Sequence, residues 1–169
     1  MSSDMTHVVK LFGDSIVAEQ TEKGTYRVRK GENMVSPYEY SEIRQLTPRC
    51  WRLFRYKADR CDLVFASGGM QFGFQFVYEL ARMGSLKEEK SFVGVILPNG
   101  TGVYDDLGNF LVFMPRLYHI SVADDRFLVA MLRALSDPYV KVYDLFGEFL
   151  AEGFMSEALK KANEKVQIA

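Results

Sequence analysis

The chain is poor in the residues that build metal and redox sites, with only two cysteines and two histidines among 169 residues. No CxxC pair is present, so neither a zinc site nor a disulfide framework can be assembled, and no metal or cofactor is expected. Neither sign of charge dominates: 21 Lys and Arg against 22 Asp and Glu leave a net charge of −1. That balance removes the global basicity of a protein held mainly by nucleic-acid phosphates, and also the acidic excess of a disordered tail. No apolar run approaches the about 18 residues of a membrane span, and residues 1–6 are polar where a secretory leader would be apolar. A single cytoplasmic domain with no membrane partner is expected, and 48% hydrophobic residues are enough for a core.

Cys50 and Cys61 stand on the arms of a hairpin expected to turn near Ala58-Asp59. Cys61 would then face about Tyr56 and Cys50 about Ser67, too far apart to bridge, so both are expected as free thiols.

What the chain does have is self-similarity. Four segments end in a glycine between apolar runs: Tyr26 to Gly31, Leu63 to Gly69, Val103 to Gly108 and Val142 to Gly147. The spacings between Gly31, Gly69, Gly108 and Gly147 are 38, 39 and 39. Five residues before each glycine stand Tyr26, Val64, Val103 and Val142, and three after it Met34, Phe72, Leu111 and Leu150. Strand, tight turn and strand follow, with glycine supplying the positive φ of the turn. Upstream of three of these hairpins a tyrosine (Tyr40, Tyr78, Tyr118) opens a second extended pair, and residues 7–11 and 16–18 fill the same slots in the first unit. Four strands in about 39 residues, four times over, predict an all-β antiparallel repeat, small-propeller-like or WG-like, with units at 6–35, 38–76, 78–114 and 117–152. Residues 72–83 remain open between strand and helix, because the phenylalanine alternation gives way to helical spacing. Beyond Gly153, Phe154, Ala158, Leu159, Ala162 and Val166 share one face, predicting an amphipathic helix over 154–167 with Ser156 as its N-cap.

The stretch from Ile120 to Val129, continued by Tyr139 to Leu150, resembles a blade of WD-repeat or NHL-type β-propellers, and is similar also to the WG-type β repeats of bacteria. Trp51 is the sole tryptophan, so the hallmark Trp-Asp and Trp-Gly dipeptides are absent. The resemblance implies a binding platform, and for the WG type a scaffold or toxin-neutralising, immunity-type role. Repeated sheets with many loops suit recognition better than a deep catalytic cleft.

Two other classes have a residue basis. Residues 7–16, from His7 through Gly13-Asp14-Ser15 to Ile16, are similar to the first block of GDS-type hydrolases, with Ser15 as nucleophile. That family's terminal Asp-x-x-His is missing, since Arg116 stands three before His119. His7 and His119 occupy matching points of their units, which favours structural roles, and Asp105-Asp106 and Asp124-Asp125 fall at turns. Residues 27–60 hold nine basic side chains against four acidic ones, interleaved with Tyr38, Tyr40, Trp51 and Tyr56. Such a patch grips nucleic acid or, given the acidity of the remaining chain, an acidic protein face. The expected function is a non-enzymatic protein-interaction module, with Trp51, Arg52, Arg55 and Tyr56 as the partner-binding residues.

Overall fold

A computed structural model describes residues 7–83, 91–115, 118–132 and 139–168. The chain forms strands in antiparallel sheets and ends in one helix, and it divides into two compact units. Unit 1 comprises Met1–Tyr78 with Asp106–Gly108; unit 2 comprises Glu79–Asp105 with Asn109–Ala169. Among the described residues no helix is long and apolar enough to cross a membrane.

Unit 1 holds β1 (Val8–Phe12), β2 (Ile16–Gln20), β3 (Tyr26–Lys30), β4 (Asn33–Met34), β5 (Tyr40–Thr47), β6 (Cys50–Arg55), β7 (Cys61–Phe65) and β8 (Met70–Phe74). These make one sheet in the order β1-β2-β3-β5-β6-β7-β8, with β4 paired to β3. The first two expected units therefore join, through the bridge from Tyr26 to Tyr40. Alternation along the strands sends Leu11, Ile16, Ala18, Val28, Tyr40, Leu53 and Val64 into one core. Strand β7, Cys-Asp-Leu-Val-Phe, is buried along its whole length.

The division between the units falls within β9 (Phe76–Glu79), which is followed by β10 (Ala81–Met83), so residues 72–83 form short strands, broken at Gln75 and Leu80, rather than a helix. In unit 2, β11 (Phe92–Leu97), β12 (Gly100–Asp105) and β13 (Phe110–Met114) form a meander, and Leu80 N–H donates to Phe92 O at its edge. A second sheet runs β10-β14-β15-β16-β17, with β14 (Tyr118–Ala123), β15 (Phe127–Leu132), β16 (Tyr139–Asp144) and β17 (Phe149–Phe154). The pairing of β10 with β14 is parallel, a departure from the antiparallel expectation. Among the described residues none of these sheets closes on itself, so the four-unit arrangement is approximate.

Helix α1 (Met155–Ile168) seals Ala158 and Ala162 against Val140, Val142 and Leu150, with Met155 and Leu159 at the margin. Phe154 and Val166, expected on the buried face, are exposed. Ser156 is the second helical residue rather than the N-cap, because the helix starts directly on the last residue of β17.

The glycine beat is real but one residue displaced in the second unit. Gly68, not Gly69, has positive φ (93°), matching Gly108 (95°) and Gly147 (92°). Each turn closes with the same bond: Phe65 N–H to Gly69 O, Asp105 N–H to Asn109 O and Asp144 N–H to Glu148 O, at 2.9–3.0 Å. Equivalent cross-strand pairs follow, Val64 with Met70, Tyr104 with Phe110 and Tyr143 with Phe149. The first unit differs, since Gly31 lies in a two-residue turn between Lys30 and Asn33.

Candidate interaction surface

The four residues expected to bind a partner all lie on or beside β6, but not on one face. Strand alternation puts Trp51 and Arg55 on the face of Leu53, and Arg52 on the opposite one. Trp51 packs on the unit 1 core and donates its indole N–H to Leu11 O at 3.1 Å. Tyr56 follows the strand, its ring 5.9 Å from Lys23 Nζ and 5.3 Å from Lys57 Nζ.

Arg55 is held by Asp62, a carboxylate with no solvent exposure on β7. Arg55 Nε donates to both Asp62 oxygens (3.1 and 3.0 Å) and Nη2 to Oδ1 (2.9 Å). Asp62 also accepts the Tyr40 hydroxyl at 2.7 Å and Gly73 N–H at 2.8 Å, while the Tyr40 hydroxyl shares a 2.6 Å bond with Ser36 Oγ. Burial, reinforced by the bond to Asp62, pushes the Tyr40 hydroxyl far above its ordinary pKa. Burial works against the Arg55 charge, but Asp62 outweighs it and raises the guanidinium pKa. The outer side of Arg55 lies 3.6 Å from the centre of the Tyr38 ring, which meets Phe72 edge-on at 6.0 Å. Tyr38 and Phe72 are 39% and 44% exposed, so a buried ionic network backs an exposed aromatic pair.

Asp62 was not among the residues expected from the sequence, although a lone acid inside the apolar run Cys-Asp-Leu-Val-Phe is a signal. Such a charge stays buried only if it is paired.

Cys50 and Cys61 are free and buried. They face Phe65 and Phe54, because the hairpin turns one residue earlier than expected. Burial, aided by Asp106, pushes the Cys50 thiol up to about 12. Burial likewise takes Cys61 to about 11 against the opposing pull of Arg52. Neither thiol is a nucleophile at neutral pH.

Ser15 sits in the turn between β1 and β2 and donates its hydroxyl to Phe12 O at 2.7 Å. A strand, not a helix, follows it. His7 lies just before β1 and His119 within β14. Asp105 accepts from Asn109 and Asp144 from Phe146 and Glu148, so both serve their turns. Among the described residues no group of three or more His, Cys, Asp or Glu could hold a metal.

In unit 2 a hollow of about 690 Å³ opens between the turn at 124–126, the turn at 144–148 and the end of α1, with Phe127, Phe149 and Val166 in its lining.

Internal pairing leaves the basic segment unneutralised. Arg27, Arg29, Arg52 and Arg55 bind Glu39, Glu19, Glu42 and Asp62. Lys30, Arg44, Arg49, Lys57 and Arg60 form no ion pair among the described residues, and all but the half-buried Arg60 are exposed. Against known proteins, the chain matches no family model, no curated protein and no solved structure.

Proposed function

We propose that this chain is a non-enzymatic protein-interaction module whose unit 1 meets an acidic face of its partner. The observation that carries this is the set of five cations, Lys30, Arg44, Arg49, Lys57 and Arg60, left over after internal ion pairing in the segment. Among the described residues of this segment, an excess of unpaired surface cations over unpaired carboxylates (Glu32 and Asp59), on the unit that carries exposed aromatics, is the composition of a steered, anchored interface. Tyr38 and Phe72 supply the anchors, and Arg55 fixes Tyr38 from behind. A protein partner is favoured over nucleic acid because the net charge of −1 opposes long-range attraction to phosphates. The free thiols fit a reducing, cytoplasmic setting. A WG-like or propeller-like kinship would make the role scaffolding, or immunity-type if the acidic face belongs to a toxin.

The test is charge reversal outside the packed network. Lys30→Glu, Arg49→Glu and Lys57→Glu together should weaken binding of the co-purified partner by about 100-fold without altering the fold. Unchanged affinity would exclude this surface. Reversal of Arg55 would not be informative, because it strands Asp62 in the core.

A further inference from the structure

Arg44 and Arg52 are direct cross-strand neighbours on β5 and β6, so their side chains leave the same face of the sheet. Like charges in that relation repel. The carboxylate set against them is Glu42, on the same face of β5, which accepts from Arg52 Nη2 at 3.4 Å and is 59% exposed. Arg52 itself is boxed in. Its side chain is 9% exposed, and its guanidinium lies 5.2 Å from the Phe54 ring and 5.5 Å from the Phe76 ring. Its Nε is buried with no hydrogen-bond partner. Arg44, exposed, makes no ion pair among the described residues. Donors and positive charge therefore exceed acceptors at this point of the sheet, although buried donors are normally satisfied.

We propose that Arg44 and Arg52 form a seat for a carboxylate side chain of the acidic partner, with Glu42 as the group that this carboxylate displaces; the seat rests on the interaction function proposed above. Glu42 shows which chemistry fits. A planar carboxylate already meets Arg52 where two phenyl rings flank the guanidinium, and planar forks match guanidinium geometry. Displacement costs little, because an exposed carboxylate in a long contact contributes little to stability. The incoming group gains a second guanidinium, Arg44, which Glu42 does not engage.

The Arg52 Nε–H is shielded from solvent and serves as the reporter, followed by ¹⁵N-resolved NMR. An acetylated, amidated hexaglutamate peptide is the probe, with inorganic phosphate and hexathymidylate titrated in parallel. Hexaglutamate is expected to shift the Arg52 Nε–H saturably. Arg44→Ala should weaken that binding about tenfold. Glu42→Gln should tighten it about threefold by removing the competitor. Both substitutions are at exposed positions, and unchanged thermal melts verify the fold. Binding indifferent to both variants overturns the seat, as does phosphate or hexathymidylate saturating the signal at lower concentration than hexaglutamate. If hexaglutamate instead perturbs only amides around Lys57 and Arg60, the Arg52 seat falls while the acidic-partner function stands.

Discussion

A carboxylate with no exposure survives inside an apolar strand only when its lone pairs are used, and Asp62 uses them on Arg55, Tyr40 and Gly73. Asp62→Asn removes the charge that Arg55 needs and should cost about 3 kcal/mol in urea unfolding. Tyr40→Phe removes one hydrogen bond of the network and should cost about 1 kcal/mol. Equal losses would mean that the network is not organised around the ion pair. The two thiols set a pH dependence. Their folded pKa values, about 12 and about 11, lie above the ordinary 9.0, so the folded state keeps protons that the unfolded state releases. Their contribution is intact below pH 9 and declines as pH rises towards 11 and then 12. Replacing both Cys50 and Cys61 by Ala should flatten stability between pH 9 and 10, where Tyr40, with an ordinary value of 10.0, contributes little. The site was legible in the sequence only as composition. Arginines and aromatics in residues 27–60 were visible there, whereas which arginine is occupied depends on register, and Arg55 reaches Asp62 only because the hairpin pairs Leu53 with Asp62.

At the scale of elements, the glycine turns do the same job with different tolerances. Gly31 has φ of 62° and open space where a Cβ would stand, so Gly31→Ala pays only the left-handed backbone, about 1 kcal/mol. Gly147 has φ of 92°, and a Cβ there would lie 2.3 Å from Leu111 O, so Gly147→Ala should cost about 3 kcal/mol or more. Thermal melts of the two variants separate them, and similar values would show that the backbone around Leu111 yields. These turns explain why the strand count was readable beforehand. Glycine recurs because a tight hairpin turn requires it, and the flanking apolar residues recur because each arm has a buried face. Long-range pairing left no such mark. Nothing in the sequence distinguishes Tyr26 and Tyr40 as the residues that join two units into one sheet, or sets β10 parallel to β14. Both depend on which edge is within reach once the hairpins have formed, and edges offer the same backbone donors and acceptors whatever their side chains.

For the whole molecule, near-neutral net charge conceals a separation along the chain, because the basic excess of residues 27–60 is offset elsewhere. On the proposed function, a partner with an acidic face would be attracted to the part, while the near-neutral whole would neither repel nor strongly collect other macromolecules. Such attraction acts mainly before contact, so it should appear in the association rate. Raising ionic strength from about 0.1 M to about 1 M shrinks the screening length from about 10 to about 3 Å. Affinity for the partner is then expected to fall about tenfold, carried mostly by slower association. Tyr38→Ala with Phe72→Ala should behave differently: rings act after docking, so their loss speeds dissociation by a similar factor at either salt concentration. Stopped-flow measurements on the wild type, the charge-reversed variant and the ring-deleted variant separate the two contributions. If the wild-type association rate does not respond to salt, the unpaired cations do not steer the encounter, and binding must rest on the apolar surface instead.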